Sequence, residues 1–161
     1  MQLGIIAVGQ MHGAGEMPLV EEFHQRIEAS GRQLGISGLS IIELREKRAL
    51  TGGDKKRSEN ALIADALARR SGPLIVLDET GTSLTSRAFA DKLQGWIERG
   101  DSDVTFVIGG ADGLDDAIRA RADLVLSFGP MTWPHMLARV LLCEQLWRAI
   151  SILTRHPYHR D

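Results

Sequence analysis

Apolar residues fall along the chain in short runs separated by stretches of helical spacing. Residues 3–8 form one nearly continuous apolar run closed by Gly9, which predicts a short buried strand. The loop 10–15 follows. Leu19, Val20, Phe23 and Ile27 then recur at helical spacing, and the pattern stops near Gly31. Residues 39–44 predict a second strand, and residues 74–77 a third, entered through Gly72 and Pro73. Residues 78–83 are polar around Gly81 and predict a turn. A helix over residues 85–99 places Phe89, Leu93, Trp96 and Ile97 on one stripe. Residues 104–108 predict a strand that runs into Gly109, Gly110, Ala111, Asp112 and Gly113, with a short helix over about 115–121 behind it. A last strand covers 124–128. The loop 129–133 then leads to Pro134, a favoured opening residue for a helix reaching about Leu153.

Strands alternating with helices predict an α/β domain: a mostly parallel sheet with helices on both faces. In such sheets ligands bind beyond the carboxyl ends of the strands. Three loops fall there, at 78–81, 109–113 and 129–133. Two segments stay open. Residues 45–57 carry Arg45, Lys47, Arg48, Lys55, Lys56 and Arg57 around Gly52 and Gly53. They form either a mobile basic loop or the start of a helix running to about Arg69. The last helix carries Met136, Leu137, Val140, Leu141, Leu142, Leu146, Trp147, Ile150 and Leu153, wider than one core-facing stripe. It is either buried deep in one domain or shared with a second subunit. The small size of the chain favours a dimer, with Arg139, Glu144 and Arg148 on the polar surface of that helix.

The bulk composition narrows this picture. With 161 residues, 43% hydrophobic and 25% charged, the chain fits one soluble domain over 1–161. The single cysteine, Cys143, cannot form an internal disulfide. The N-terminus lacks a charged leader, and no apolar run reaches membrane-spanning length, so a cytoplasmic location away from membranes is expected. The five histidines and Cys143 show no ligand spacing, so no metal is expected. A net charge of -2 does not mark a nucleic-acid binder.

The glycine loop permits close backbone approach to a ligand, or simply makes a tight strand-to-helix connection. Its spacing matches neither G-x-G-x-x-G nor the phosphate loop. Asp112 opposes a bare phosphate and suits a ligand with a cationic or neutral reacting centre. Asp78 and Glu79 can bond a ribose hydroxyl or cap a turn. The tail holds His156, Tyr158, His159 and Arg160. It can stack on unpaired bases and grip phosphate, or dock back on the domain.

Four segments, taken in order, carry a resemblance: FVIGGADGL at 106–114, LSFGPMTWPHMLARV at 126–140, EQLWRAI at 144–150 and the ending HPYHR. Together, and at these spacings, the chain resembles the SPOUT-class large-subunit ribosomal RNA pseudouridine N3-methyltransferases over essentially its whole length. The resemblance implies a C-terminal trefoil knot over about 74–155 and an RNA-contacting tail at 156–161. It implies a homodimer with cofactor pockets at the interface. It also implies S-adenosylmethionine held at Leu77, Gly109, Phe128, Gly129, Pro130, Met131, Thr132 and Trp133. The implied substrate is a pseudouridine of 23S rRNA within the assembled ribosome. Arg139, Arg148, Arg155 and Arg160 would face the RNA, and His156, Tyr158 and His159 are candidates for moving the N3 proton. Gln10-Met11-His12 departs from the lysine-rich loop start common in relatives. The alternatives are a SPOUT enzyme acting on another RNA such as tRNA, a non-catalytic ribosome-associated protein, and a nicotinamide oxidoreductase, for which the glycine fingerprint after the first strand is missing.

Overall fold

The computed structural model describes residues 1–159. Strands β1 (Gln2–Val8), β2 (Gly38–Leu44), β3 (Leu74–Ser83), β4 (Asp103–Ile108) and β5 (Leu124–Ser127) form one sheet in the order β2-β1-β4-β3-β5. Every pairing is parallel. Helices α1 (Met17–Gly31), α2 (Gly52–Leu67), α3 (Ser86–Glu98), α4 (Asp116–Arg119) and α5 (His135–Leu153) cover the two faces. Successive strand residues point to opposite faces. Leu3, Ile5 and Ala7 of β1 therefore join a core with α1, α3 and α5 residues such as Ile27, Leu93 and Leu146. Ile6 and Val8 join a second core with Ile63, Leu67 and Ile118. Both faces are covered, so β1 reads as a near-continuous apolar run. Burying each such Leu or Ile contributes roughly 1.5–3 kcal/mol.

Residues 78–83 are not a free turn. β3 continues through them and pairs Thr82 with Leu126 and Ser83 with Ser127, after a register shift that follows Leu77. Gly81 permits this closure. A side chain there would put its Cβ 2.6 Å from the Val125 carbonyl oxygen. The basic segment resolves into an irregular stretch and then a helix, since α2 begins at Gly52 behind Thr51.

α5 packs between α1 and α3 and buries Leu142, Cys143, Leu146, Trp147, Ala149 and Ile150. One chain thus encloses most of the apolar width of this helix. Left outside are Leu137, 38% exposed, and on the preceding loop Met131 at 68% and Trp133 at 41%. Burial pushes the Cys143 thiol up to about 12, so it is an inert core group.

Arg139 was expected on the polar surface facing RNA, and that expectation is corrected. Its side chain is 0% exposed and ion-pairs with Glu43 of β2. It also donates to the carbonyl oxygen of Gly9 at 3.0 Å, past the end of β1. Glu43 Oε1 accepts from the Met11 amide at 3.0 Å as well. The guanidinium therefore ties α5 to the exits of β1 and β2. These partners lie about 96 and 130 residues away in sequence, so local pattern could not show them. Among the described residues, no helix is long and apolar enough to cross a membrane.

Candidate functional site

The carboxyl ends of β3, β4 and β5 open into a cleft of about 770 Å³. It is lined by Leu77, Gly109, Phe128, Gly129, Met131, Thr132 and Trp133. Pro130, grouped with them from sequence, is exposed and does not line it. Thus the three loops singled out from strand ends do meet in one place. Pattern reading missed several other wall residues. Lys56 comes from α2, Arg119 from α4, and His135 and Ala138 from α5. Only the strand order, with β4 between β1 and β3, brings those helices to the same rim.

Local bonds shape the loops. The Ser127 hydroxyl is buried; it accepts from the Gly129 amide at 3.0 Å and lies 3.1 Å from the Glu79 carbonyl oxygen. Gly129 takes φ +106°, a region glycine enters without strain. The Thr132 hydroxyl donates to Glu79 Oε2 at 3.1 Å, joining the last loop to β3. The glycine loop is backed by α2. Asn60 Oδ1 accepts from the Asp115 amide at 2.8 Å, and Asn60 Nδ2 reaches the Gly113 carbonyl at 3.4 Å.

Charge in the cleft is mixed. Burial works against the Asp78 carboxylate, but hydrogen bonds from Thr80 and Arg119 outweigh it and hold its pKa below the ordinary value. Arg119 Nη1 donates to Asp78 at 3.0 Å, and Thr80 caps it through both amide and hydroxyl. Asp78 therefore serves Thr80 and Arg119, while Glu79, bonded to Thr132 through one carboxylate oxygen, and Asp112 also line the cleft. Burial first, then the charges of Arg139 and Lys55, lower the His135 pKa and favour its neutral imidazole. Three carboxylates face two cations around the wall, Lys56 and Arg119. Backbone-rich loops, apolar Leu77, Ile108 and Phe128, and this acidic excess fit an adenosine-bearing ligand with a positive centre. They fit a polyphosphate poorly.

The tail docks on α5. The Tyr158 hydroxyl donates to Glu144 Oε1 at 3.0 Å. The Arg148 guanidinium, paired with Glu144, sits 4.9 Å from the Tyr158 ring centre. His156 stands edge-on to Trp147 at 5.1 Å, and its Nδ1 accepts from the Tyr158 amide at 3.2 Å. Burial, then the bond to Glu144 and its charge, raise the Tyr158 pKa. Arg155, just past the Thr154 cap of α5, takes φ +56° and is exposed. His159 is half-buried, and Arg160 lies outside the described residues.

The tail and the cleft are apart within one chain. Glu144 lies roughly 180° around α5 from His135 and about 13 Å along it. His156, Tyr158 and Arg148 therefore form one group, and the cleft residues another.

This cleft, at the carboxyl end of a parallel sheet with backbone-rich loops, is the candidate ligand site of an α/β domain. The family model described as "Predicted SPOUT methyltransferase" matches residues 1–159, and the chain belongs to the SPOUT methyltransferase family. Membership implies a methyl donor. Similar curated proteins carry the name ribosomal RNA large subunit methyltransferase H. That of Dinoroseobacter shibae is 44% identical over 160 residues, covering 99% of each chain. That of Rhodopseudomonas palustris strain HaA2 is 46% identical, and that of Rhizobium etli 44%, both over 160 residues and 99% of each chain.

Proposed function

We propose that this chain transfers a methyl group from S-adenosylmethionine to N3 of a pseudouridine in 23S rRNA of the assembled ribosome. One observation carries the reading: the loops after β3, β4 and β5 meet at one cleft whose wall holds three carboxylates, Asp78, Glu79 and Asp112, against the cations Lys56 and Arg119. The names of the full-length relatives direct the reaction to large-subunit ribosomal RNA. We place the protein in the cytoplasm, where ribosomes are assembled.

The bound donor would supply a methyl group already activated on a sulfonium. The chain then has to position the donor, bring the acceptor base in line, and provide for its N3 proton. Orientation of that kind is worth up to roughly 7–11 kcal/mol of barrier. Gly109 and Gly129 let backbone approach the donor, while Leu77 and Phe128 supply apolar walls and Glu79 an acceptor for ribose hydroxyls.

The tail supplies the RNA side. Tyr158, with its raised pKa, stays protonated near neutral pH and binds as a hydrogen-bond donor and stacking ring. His156 and His159 are the remaining candidates for the proton, a step typically worth about 10²–10⁴-fold. Arg148, Arg155 and Arg160, with the basic stretch at 45–57, hold phosphates. Because tail and cleft of one chain lie apart, the working unit in this reading is a homodimer. The tail of one protomer completes the cleft of its partner, and Met131, Trp133 and Leu137 meet at the interface. A knot over 74–155 would hold the two C-terminal loops rigidly at this junction.

Assembled ribosomes, isolated large subunits, free rRNA and tRNA, all from cells lacking the protein, are incubated with it and methyl-labelled donor. Modified nucleotides are then mapped by mass. The expected product is one methylated pseudouridine in 23S rRNA of assembled ribosomes. Label in tRNA, or none in any substrate, overturns the reading.

A further inference from the structure

One buried carboxyl behind the cleft has no role in the account above. Glu59 of α2 is 5% exposed. Its Oε2 is buried and has no hydrogen-bond partner among the described residues. Its Oε1 is 3.8 Å from the Lys55 ammonium, too far for a hydrogen bond. The carboxyl presses on Gly110, where an added Cβ would lie 3.0 Å from Glu59 Cδ and overlap its oxygen. Gly110 itself lines the cleft. One residue of bare backbone thus separates this carboxyl from the ligand space.

An ionised carboxylate with so little compensation is costly in the interior. The groups facing it set its state. Burial raises its pKa most, the Lys55 charge lowers it, and Asp112 of the glycine loop and Glu46 ahead of α2 raise it further. Nearby charges are already matched elsewhere: Arg48 pairs with Glu46, and Lys56 lies 3.9 Å from Asp115. A cation arriving across Gly110 would be a new partner for the carboxylate. A neutral ligand of the same shape would not.

We propose that Glu59 is a positioning charge through which the cleft prefers the cationic sulfonium donor over its neutral demethylated product. The inference rests on the methyl-donor reading above. Donor and product differ only in the transferred methyl and the sulfonium charge that goes with it, and a carboxylate behind Gly110 acts on the charge. The charge stabilises the donor before transfer, and the product lacks that stabilisation after it. The cation favours the ionised form of Glu59, so donor binding lowers the proton occupancy of that carboxyl. Donor affinity therefore rises with pH across the Glu59 titration, while product affinity stays level in that respect.

The test is titration calorimetry of the full chain with S-adenosylmethionine and S-adenosylhomocysteine. It is run between pH 5.5 and 8 in buffers of different ionisation enthalpy, on wild type, Glu59→Gln and Glu59→Asp. Wild type should release more protons with the donor than with the product. Glu59→Gln should lose about tenfold in donor affinity, the scale of one charge acting over roughly 10 Å at an effective dielectric near 20. It should keep product affinity within about twofold, and Glu59→Asp should retain part of the preference. An unchanged donor-to-product ratio in Glu59→Gln, or equal proton release for both ligands in wild type, overturns the proposal. The wild-type comparison decides even where a variant does not fold. A wild type that binds neither ligand sinks the donor reading and this inference together.

Discussion

Replacing Arg139 by methionine removes a charge while keeping much of the side chain's length. The guanidinium is 0% exposed, whereas its partner Glu43 is 30% exposed. Breaking a buried ion pair costs about 3–5 kcal/mol when the remaining charge is trapped. Glu43 can partly rehydrate, which puts this case at the low end. The Gly9 carbonyl also loses a charged donor at 3.0 Å, a loss of roughly 1–3 kcal/mol if left unpaired. Methionine returns part of this as apolar burial. The net expectation for Arg139→Met is a loss of about 3 kcal/mol. In a domain of 161 residues that shifts Tm by roughly 6–12 °C. Urea unfolding followed by far-UV circular dichroism, at fixed protein concentration, reads it directly. Adding Glu43→Leu should recover part of the loss, because it removes the unpaired carboxylate while costing the Met11 amide its acceptor. If Arg139 were instead a phosphate contact, Arg139→Met would keep full stability. It would weaken ribosome binding and lower the salt slope by about one unit. That outcome would refute the reasoning.

Two further perturbations bear on the cleft. Gly129→Ala forces a side chain into φ +106°, at a strain of roughly 1–3 kcal/mol. Donor affinity measured by calorimetry should fall while the helical circular dichroism signal stays intact, and unchanged affinity would count against the loop's role. Asp78 has a folded pKa below its ordinary value, because bonds from Thr80 and Arg119 outweigh burial. Its stabilising contribution is present above the unfolded aspartate pKa of about 3.9 and is lost as pH falls through the folded value. Asp78→Asn should therefore flatten the acid limb of a stability–pH curve, and an unaltered limb would show that the Arg119 bond is energetically idle.

Much of this architecture was legible because parallel strands covered on both faces carry dense apolar runs. The stretches around Ile5, Val76, Phe106 and Leu126 declare themselves, and glycine or proline marks several of their ends. The loops at the carboxyl ends of β3, β4 and β5 followed from that reading, and they converge on one cleft. Other features were hidden by long-range pairing. The second half of β3 is polar and looks like a turn, yet it pairs with β5 because Gly81 lets the backbones meet. Arg139 reads as a surface cation until Glu43 and the end of β1 are seen around it. Glu59 and Asn60 sit in a polar stretch of weak helical pattern, and their burial depends on the glycine loop folding over them. The tail's composition was visible, but its distance from the cleft of its own chain was not.

Hydrogen exchange followed by mass spectrometry, with and without saturating S-adenosylhomocysteine, tests most directly whether one nucleoside site is built from three separate loops. Protection should concentrate in peptides covering 77–80, 109–113 and 128–133, with α1 peptides little changed. Binding that leaves those three segments unprotected, or protects a different region, would contradict the account.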